Sequence, residues 1–141
     1  MKVADILKSK GNFIFSTTGN TSVFDALKVM SEKNIGSLMV IENEKLIGIF
    51  TERDYARKII LQGKSSLDTQ VYETMTTELI TVQSEDLLDT CMELMSKNHV
   101  RHLPVLDNQK VTGIISITDV VTAIIERQKE TITYLQNYIS Q

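Results

Sequence analysis

Two segments set the same reactive groups at the same spacing. Gly48-x-x-Thr51-x-x-Asp54 and Gly113-x-x-Ser116-x-x-Asp119 each carry a hydroxyl three residues after a glycine and an aspartate three residues after the hydroxyl. A hydroxyl followed at i+3 by an acid has the form of a capping box, which satisfies N–H groups that a helix start leaves without partners. The same helix end also attracts anions, through its free N–H groups and its dipole. An aspartate repels a phosphate placed beside it, but a carboxylate accepts well from a ribose diol. Hydroxyl and N–H for phosphate with aspartate for ribose is chemistry suited to a nucleotide. Two readings therefore stand: a pair of helix caps, or the halves of a nucleotide site. Capping leaves the glycines unexplained, whereas a residue without a side chain lets another backbone or a ligand come close.

The elements that would position these groups are themselves duplicated. Residues 11–60 superpose on 76–125 at a constant offset of 65 without a gap, matching Met30, Leu38, Val40, Gly48 and Asp54 to Met95, Leu103, Val105, Gly113 and Asp119. Each copy reads as a short extended run (14–17; 79–82), then an amphipathic helix carrying Val23, Ala26, Leu27 and Met30, or Leu88, Cys91, Met92 and Met95. Two β runs joined by a polar turn follow (37–41 and 46–50; 102–106 and 111–115), and a second helix begins near Thr51 or Ser116. The fold class is α+β: two β-α-β-β-α repeats related by a pseudo-twofold, with small sheets face to face. Each repeat alone has too little core to be stable. Residues 1–62 form the first repeat with a lead-in helix, 63–70 a linker, 71–125 the second repeat with its own lead-in, and 126–141 a helical extension.

Composition narrows the class. Apolar content of 42% and charged content of 23% over 141 residues are those of an ordinary globular domain. A net charge of −3 argues against a general nucleic-acid binder. One cysteine, Cys91, excludes an internal disulfide and fits a reducing compartment. With no membrane-length apolar run and no signal-peptide core at the start, the expectation is a soluble cytoplasmic protein without membrane contact.

The lead-ins Val3-Ala4-Asp5-Ile6-Leu7 and Val71-Tyr72-Glu73-Thr74-Met75-Thr76, the cores Ile35-Gly36-Ser37-Leu38-Met39-Val40 and Val100-Arg101-His102-Leu103-Pro104-Val105, and the two Gly-x-x-[Ser/Thr]-x-x-Asp segments resemble a tandem pair of cystathionine-β-synthase (CBS) domains, a Bateman module, over residues 1 to about 125. The resemblance implies a regulatory module binding AMP, ADP, ATP or S-adenosylmethionine between the copies, with no catalytic cofactor. It puts ribose on Asp54 and Asp119, phosphate near Thr51 and Ser116, and the preceding residue on Arg53 and Thr118. Each site would borrow from the opposite copy: Asp119 with Thr17, Thr18, Ile35 and Gly36, and Asp54 with Val82, Gln83, Val100 and Arg101. Arg53, Arg57 and Lys58 make the Asp54 side the expected site for charged nucleotides, unless these cations are a solvated helix face. The resemblance also implies a homodimer.

Other features carry less. His99, His102 and Cys91 lack a second cluster of ligands, so no metal is expected, and His102 is assigned to the cleft, where its titration would couple affinity to pH. Met30, Met92 and Met95 are read as core filling. No nucleophile–base pair is present, so no enzyme is expected. After Ile117, apolar positions continue through Val121, Ile124, Ile125, Gln128, Ile132, Leu135, Tyr138 and Ile139, predicting a helix of some twenty residues. Its stripe must fold back on the module or meet a partner, either a second copy or a regulated protein. The rival to the nucleotide reading is a ligand-free interaction scaffold whose hydroxyl–aspartate pairs only cap helices.

Overall fold

The structure is a computed structural model and describes residues 1–11 and 13–140. The repeat seen in the sequence is reproduced down to single backbone angles. In the first copy, α2 (Val23–Lys33) leads to the hairpin β2 (Ser37–Glu42) and β3 (Lys45–Thr51). In the second, α4 (Leu88–Asn98) leads to β4 (His102–Asp107) and β5 (Lys110–Ser116), each 65 residues later. Both hairpins slip register at the same place, between Val40 and Ile41 and between Val105 and Leu106. Both turn through two residues at positive φ, Asn43 and Glu44 or Asn108 and Gln109, the backbone that a tight hairpin's twist requires. Both helices end in a left-handed residue, Asn34 or His99. His99 therefore has a structural duty at a helix end.

Strand alternation divides each hairpin into two faces. Leu38, Val40 and Phe50 meet α2 in the first core, and Leu103, Val105 and Ile115 meet α4 in the second. Met39 and Ile49 point the other way yet are 1% and 8% exposed, buried where β3 packs on β5. The α+β class and the long C-terminal helix stand as expected: α5 runs Ile117–Ile139.

The extended runs, one helix and one core assignment depart from the expectation. The extended runs shrink to β1 (Ser16–Thr17), parallel to β2, and to one parallel bridge from Val82 to Val105. The residues upstream line cavities instead of extending the ladder. The second helix of the first copy is irregular: α3 (Glu52–Asp54) passes into a π turn at Tyr55–Ile59 and a 3-10 turn at Ile60–Gln62. Met92 is 40% exposed and lies outside the core assigned to it.

The lead-ins give the largest correction. Each was expected to serve its own copy, but they cross. Val3, Ile6 and Leu7 of α1 (Val3–Lys10) belong to the second core, while Val71, with Met75 packed beside it, belongs to the first. The crossing answers what the repeated glycines do. A Cβ at Gly48 would stand 2.5 Å from Met75 Sδ and 3.1 Å from the Thr76 carbonyl oxygen, and one at Gly113 would stand 2.7 Å from Leu7 Cδ2. The close approach is by the other copy's lead-in. Paired hydrogen bonds between Ile49 and Thr76, at 3.0 and 2.8 Å, lock the first of these crossings.

Candidate functional site

Two cavities lie between the copies, and their linings correspond under the same offset of 65. The first, of about 330 Å³, sets Thr51, Arg53 and Asp54 against Val100 and Arg101 of the second copy, with Thr76, Glu78 and Ile80 along one side. The second, of about 620 Å³, sets Ser116, Thr118 and Asp119 against Ile35 and Gly36 of the first copy, with Gly11, Phe13 and Phe15 in the equivalent places. Gly36 and His102 line both, so the cavities adjoin. A Cβ at Gly36 would stand 3.5 Å from the His102 ring. Both volumes fall in the range of small-ligand sites, roughly 300–1,000 Å³.

The aspartates head helices in the same way. Asp54 and Asp119 donate their N–H groups to Thr51 Oγ1 and Ser116 Oγ at 3.1 Å, and each carboxylate accepts from the N–H of its N-cap, at 3.0 and 2.8 Å. Both capping boxes are thus formed.

Beyond the caps the two carboxylates differ. Asp54 is 5% exposed and occupied on both oxygens. Oδ1 accepts from the Thr76 hydroxyl at 3.0 Å and pairs with Lys58 Nζ at 2.9 Å, while Oδ2 takes the Thr51 hydroxyl and N–H. Lys58 is further committed to the Thr74 carbonyl. In Asp119 the capping N–H and Lys10 Nζ, at 2.7 Å, both use Oδ2. Among the described residues, Oδ1 accepts no hydrogen bond. Burial would raise the Asp119 carboxyl, but contacts with Lys10 and Ser116 outweigh it and hold it below the usual carboxylate range.

The charges around the cavities differ as well. Glu52, Asp54 and Glu78 face Arg53 and Arg101 in the first, and Arg53 donates to the His99 carbonyl across the copies. In the second, Lys10 and two phenylalanine rings accompany a single carboxylate. Of the cations on which the expected preference for Asp54 rested, Arg53 and Arg101 line the first cavity and Lys58 is paired with Asp54 itself. The difference between the two carboxylates comes from chain crossing, because Lys10 belongs to α1 and Thr76 to the other lead-in. Between the cavities, His102 is held below its ordinary value by burial first, then by the charges of Lys10, Arg101 and Arg53, against the opposing pull of Asp119.

Of the residues assigned from sequence, Thr51, Arg53, Asp54, Val100, Arg101 and His102 line one cavity, and Ile35, Gly36, His102, Ser116, Thr118 and Asp119 the other. Thr17, Thr18, Val82 and Gln83 line neither. Thr17 pairs with Val40 in the sheet, the Thr18 hydroxyl serves the turn at Asn20 and Thr21, Val82 is 2% exposed in the second core, and Gln83 starts a turn closed by Asp86. Lys10, Phe13, Phe15, Thr76, Glu78 and Ile80 were missed. For all of these but Lys10 the signal available was the offset itself, which aligns the alternating positions 11, 13 and 15 with 76, 78 and 80. Among the described residues no cluster of three metal-ligating side chains exists, and no helix is long and apolar enough to cross a membrane. Cys91 is fully buried and its thiol is pushed up to about 11 by burial.

The comparisons agree with this architecture. The CBS domain family model matches twice, over residues 3–61 and 70–126. The mitochondrial CBS domain-containing protein CBSX3 of Arabidopsis thaliana is 43% identical over 97% of this chain and 71% of its own length. A CBS-domain protein structure from Burkholderia ambifaria is 46% identical, covering 91% of this chain and 96% of that one, with a TM-score of 0.87. The CBS domain pair of protein MJ0100, solved with 5′-methylthioadenosine and S-adenosyl-L-methionine, is 29% identical over 90% of this chain and 98% of its own, with a TM-score of 0.80. Two duplicated units, joined face to face and carrying two matches to one family model, make this chain a member of the CBS domain family, a tandem CBS pair.

Proposed function

We propose that the module is a regulatory binder of an adenosine compound, AMP, ADP, ATP or S-adenosylmethionine, and that its principal site is the cavity at Asp119. The observation that carries this reading is the Asp119 carboxylate, which lines a cleft with Lys10, Phe13 and Phe15 and whose Oδ1 accepts no hydrogen bond among the described residues. The carboxylate takes the ribose diol, the rings cover the base, and Lys10 with the Ser116 helix start receives the phosphate or other polar end. The Asp54 cavity is smaller, and its carboxylate is closed by Lys58 and Thr76, so it is the weaker site for a ribose. MJ0100, similar over most of its length, was solved with two adenosine-derived compounds, and this supports the choice of ligand class.

Ligand in the cleft bridges Ile35 and Gly36 of one copy to the head of α5 in the other. It thereby shifts the population between copy-to-copy arrangements, with α5 as the reporting element. Titration calorimetry with AMP, ADP, ATP, S-adenosylmethionine and GTP tests the reading. Binding of an adenosine compound, lost in Asp119→Ala and kept in Asp54→Ala, is the expected result. No binding by the unmodified chain returns both aspartates to helix capping and makes the module a protein-interaction scaffold.

A further inference from the structure

The cavity at Asp54 holds a set of charges that neither capping nor a ribose uses. Glu52, Glu78, Arg53 and Arg101 line it together, yet among the described residues none of the four forms an ion pair. Arg53 donates to the His99 carbonyl. The side chains of Glu52, Glu78 and Arg101 make no hydrogen bond among the described residues. The nearby lysine is already engaged, since Lys58 pairs with Asp54 at 2.9 Å and so cancels its charge. Two carboxylates and two guanidiniums remain around one cavity, with no net charge between them. Opposite charges held apart in a cleft suit a ligand that carries both signs itself.

The duplication shows that these charges are particular to one cavity. At the offset of 65, Glu52, Arg53, Glu78 and Arg101 correspond to Ile117, Thr118, Phe13 and Gly36, none of them charged. The capping boxes are common to both copies, so capping does not call for the charges. A phosphate here would meet Glu52 and Glu78 as well as the guanidiniums, whereas a compound of zero net charge gains from both signs. Ile49, Leu79, Ile80, Val100 and Pro104 give the same cavity an apolar wall. Its volume of about 330 Å³ lies at the small end of the range for ligand sites.

We infer that the cavity at Asp54 is a site for a free α-amino acid with an apolar side chain, a small molecule that joins both charges to an apolar group. Arg101 takes the carboxylate in a two-pronged hydrogen bond, and Glu52 and Glu78 take the ammonium. The amino acid's side chain lies against the apolar wall. Arg53 is tied to the His99 carbonyl through one of its five donors, so it retains others for the carboxylate end. The site does not depend on an adenosine compound at Asp119.

Titration calorimetry of the full chain with L-leucine and L-methionine, each up to millimolar concentration, tests it. At least one of the two is expected to bind. Its N-acetyl and amide derivatives, which each lack one charge, are expected to bind at least about tenfold more weakly. Arg101→Gln and Glu78→Gln are each expected to weaken binding by about tenfold as well. Both residues are exposed, so circular dichroism of the two variants is expected to match that of the unmodified chain. No binding of either amino acid would overturn the inference. Derivatives that bind as well as the parent would overturn it too, leaving an apolar pocket only. Binding indifferent to either substitution would overturn it equally, by placing the amino acid elsewhere.

Discussion

Asp54 and Asp119 hold the same place in their copies and have different surroundings. Replacing Asp54 removes a cap and leaves Lys58, Thr76 and the Thr51 N–H without their acceptor around a buried position. Asp54→Ala is expected to cost about 2–4 kcal/mol in urea unfolding, since the stranded donors add to the lost cap. Asp119→Ala loses a cap at a half-buried site and releases an exposed lysine, so it is expected to cost about 1 kcal/mol. His102 provides a pH test. Its folded value lies below 6.5, so the unfolded chain binds more protons in the window beneath 6.5. Its contribution to stability is therefore full above pH 6.5 and is lost as the pH falls toward the folded value. Stability measured from pH 7.5 to 5 is expected to decline less steeply in His102→Gln. An anion bound in either cavity favours the charged ring, so affinity for a phosphate-bearing ligand is expected to rise over the same fall in pH.

At the scale of elements, the crossed lead-ins decide what the glycines and the first helix are for. Gly113 leaves the room that Leu7 fills, and Leu7 is 6% exposed in the second core. Gly113→Ala pushes a methyl against a packed side chain and is expected to cost about 1–3 kcal/mol. Leu7→Ala is expected to cost about 2–5 kcal/mol by leaving a cavity. The pair combined should fall short of the sum, because the added methyl enters space the leucine has vacated. A double-mutant cycle by thermal unfolding measures this coupling, and strict additivity would mean that Leu7 does not occupy the Gly113 notch. The capping boxes at Thr51 and Ser116 start helices of different character. One breaks into π and 3-10 turns within eleven residues, and the other runs for 23.

In the whole molecule, neither copy is a complete folding unit. The first core takes Val71 from beyond the linker, and the second takes Val3, Ile6 and Leu7 from the chain's start. Residues 1–62 and 63–141 produced separately are expected to lack cooperative unfolding, and mixing the two pieces is expected to restore it. Calorimetry of each piece checks this, and one cooperative transition in either alone would contradict the crossed cores. Ligand in the shared cleft touches both copies, so it is expected to stabilise the entire fold, by about 2.7 kcal/mol at 100 times its dissociation constant.

The sequence by itself determined the duplication, the hairpin and first helix of each copy, the long last helix, the turns and the two capping boxes. These depend on residues close along the chain: hydrophobic spacing, a hydroxyl three residues before an acid, an asparagine in a tight turn. It also marked Ile35, Gly36, Val100 and Arg101 as residues facing the cleft, through the resemblance carried by their motifs. Only the tertiary structure decided which core each lead-in joins, because periodicity tells which face of Val3-Ile6-Leu7 is apolar and is silent on the surface it meets. That crossing brought Lys10 to Asp119 and Thr76 to Asp54, and so opened one carboxylate and closed the other. Thr17, Thr18 and Val82 line neither cavity: Thr17 and Val82 pair with β2 and β4, and the Thr18 hydroxyl serves the turn at Asn20 and Thr21. Long-range contacts between chemically similar surfaces are chosen by shape and burial across the whole chain, and no local pattern records that choice.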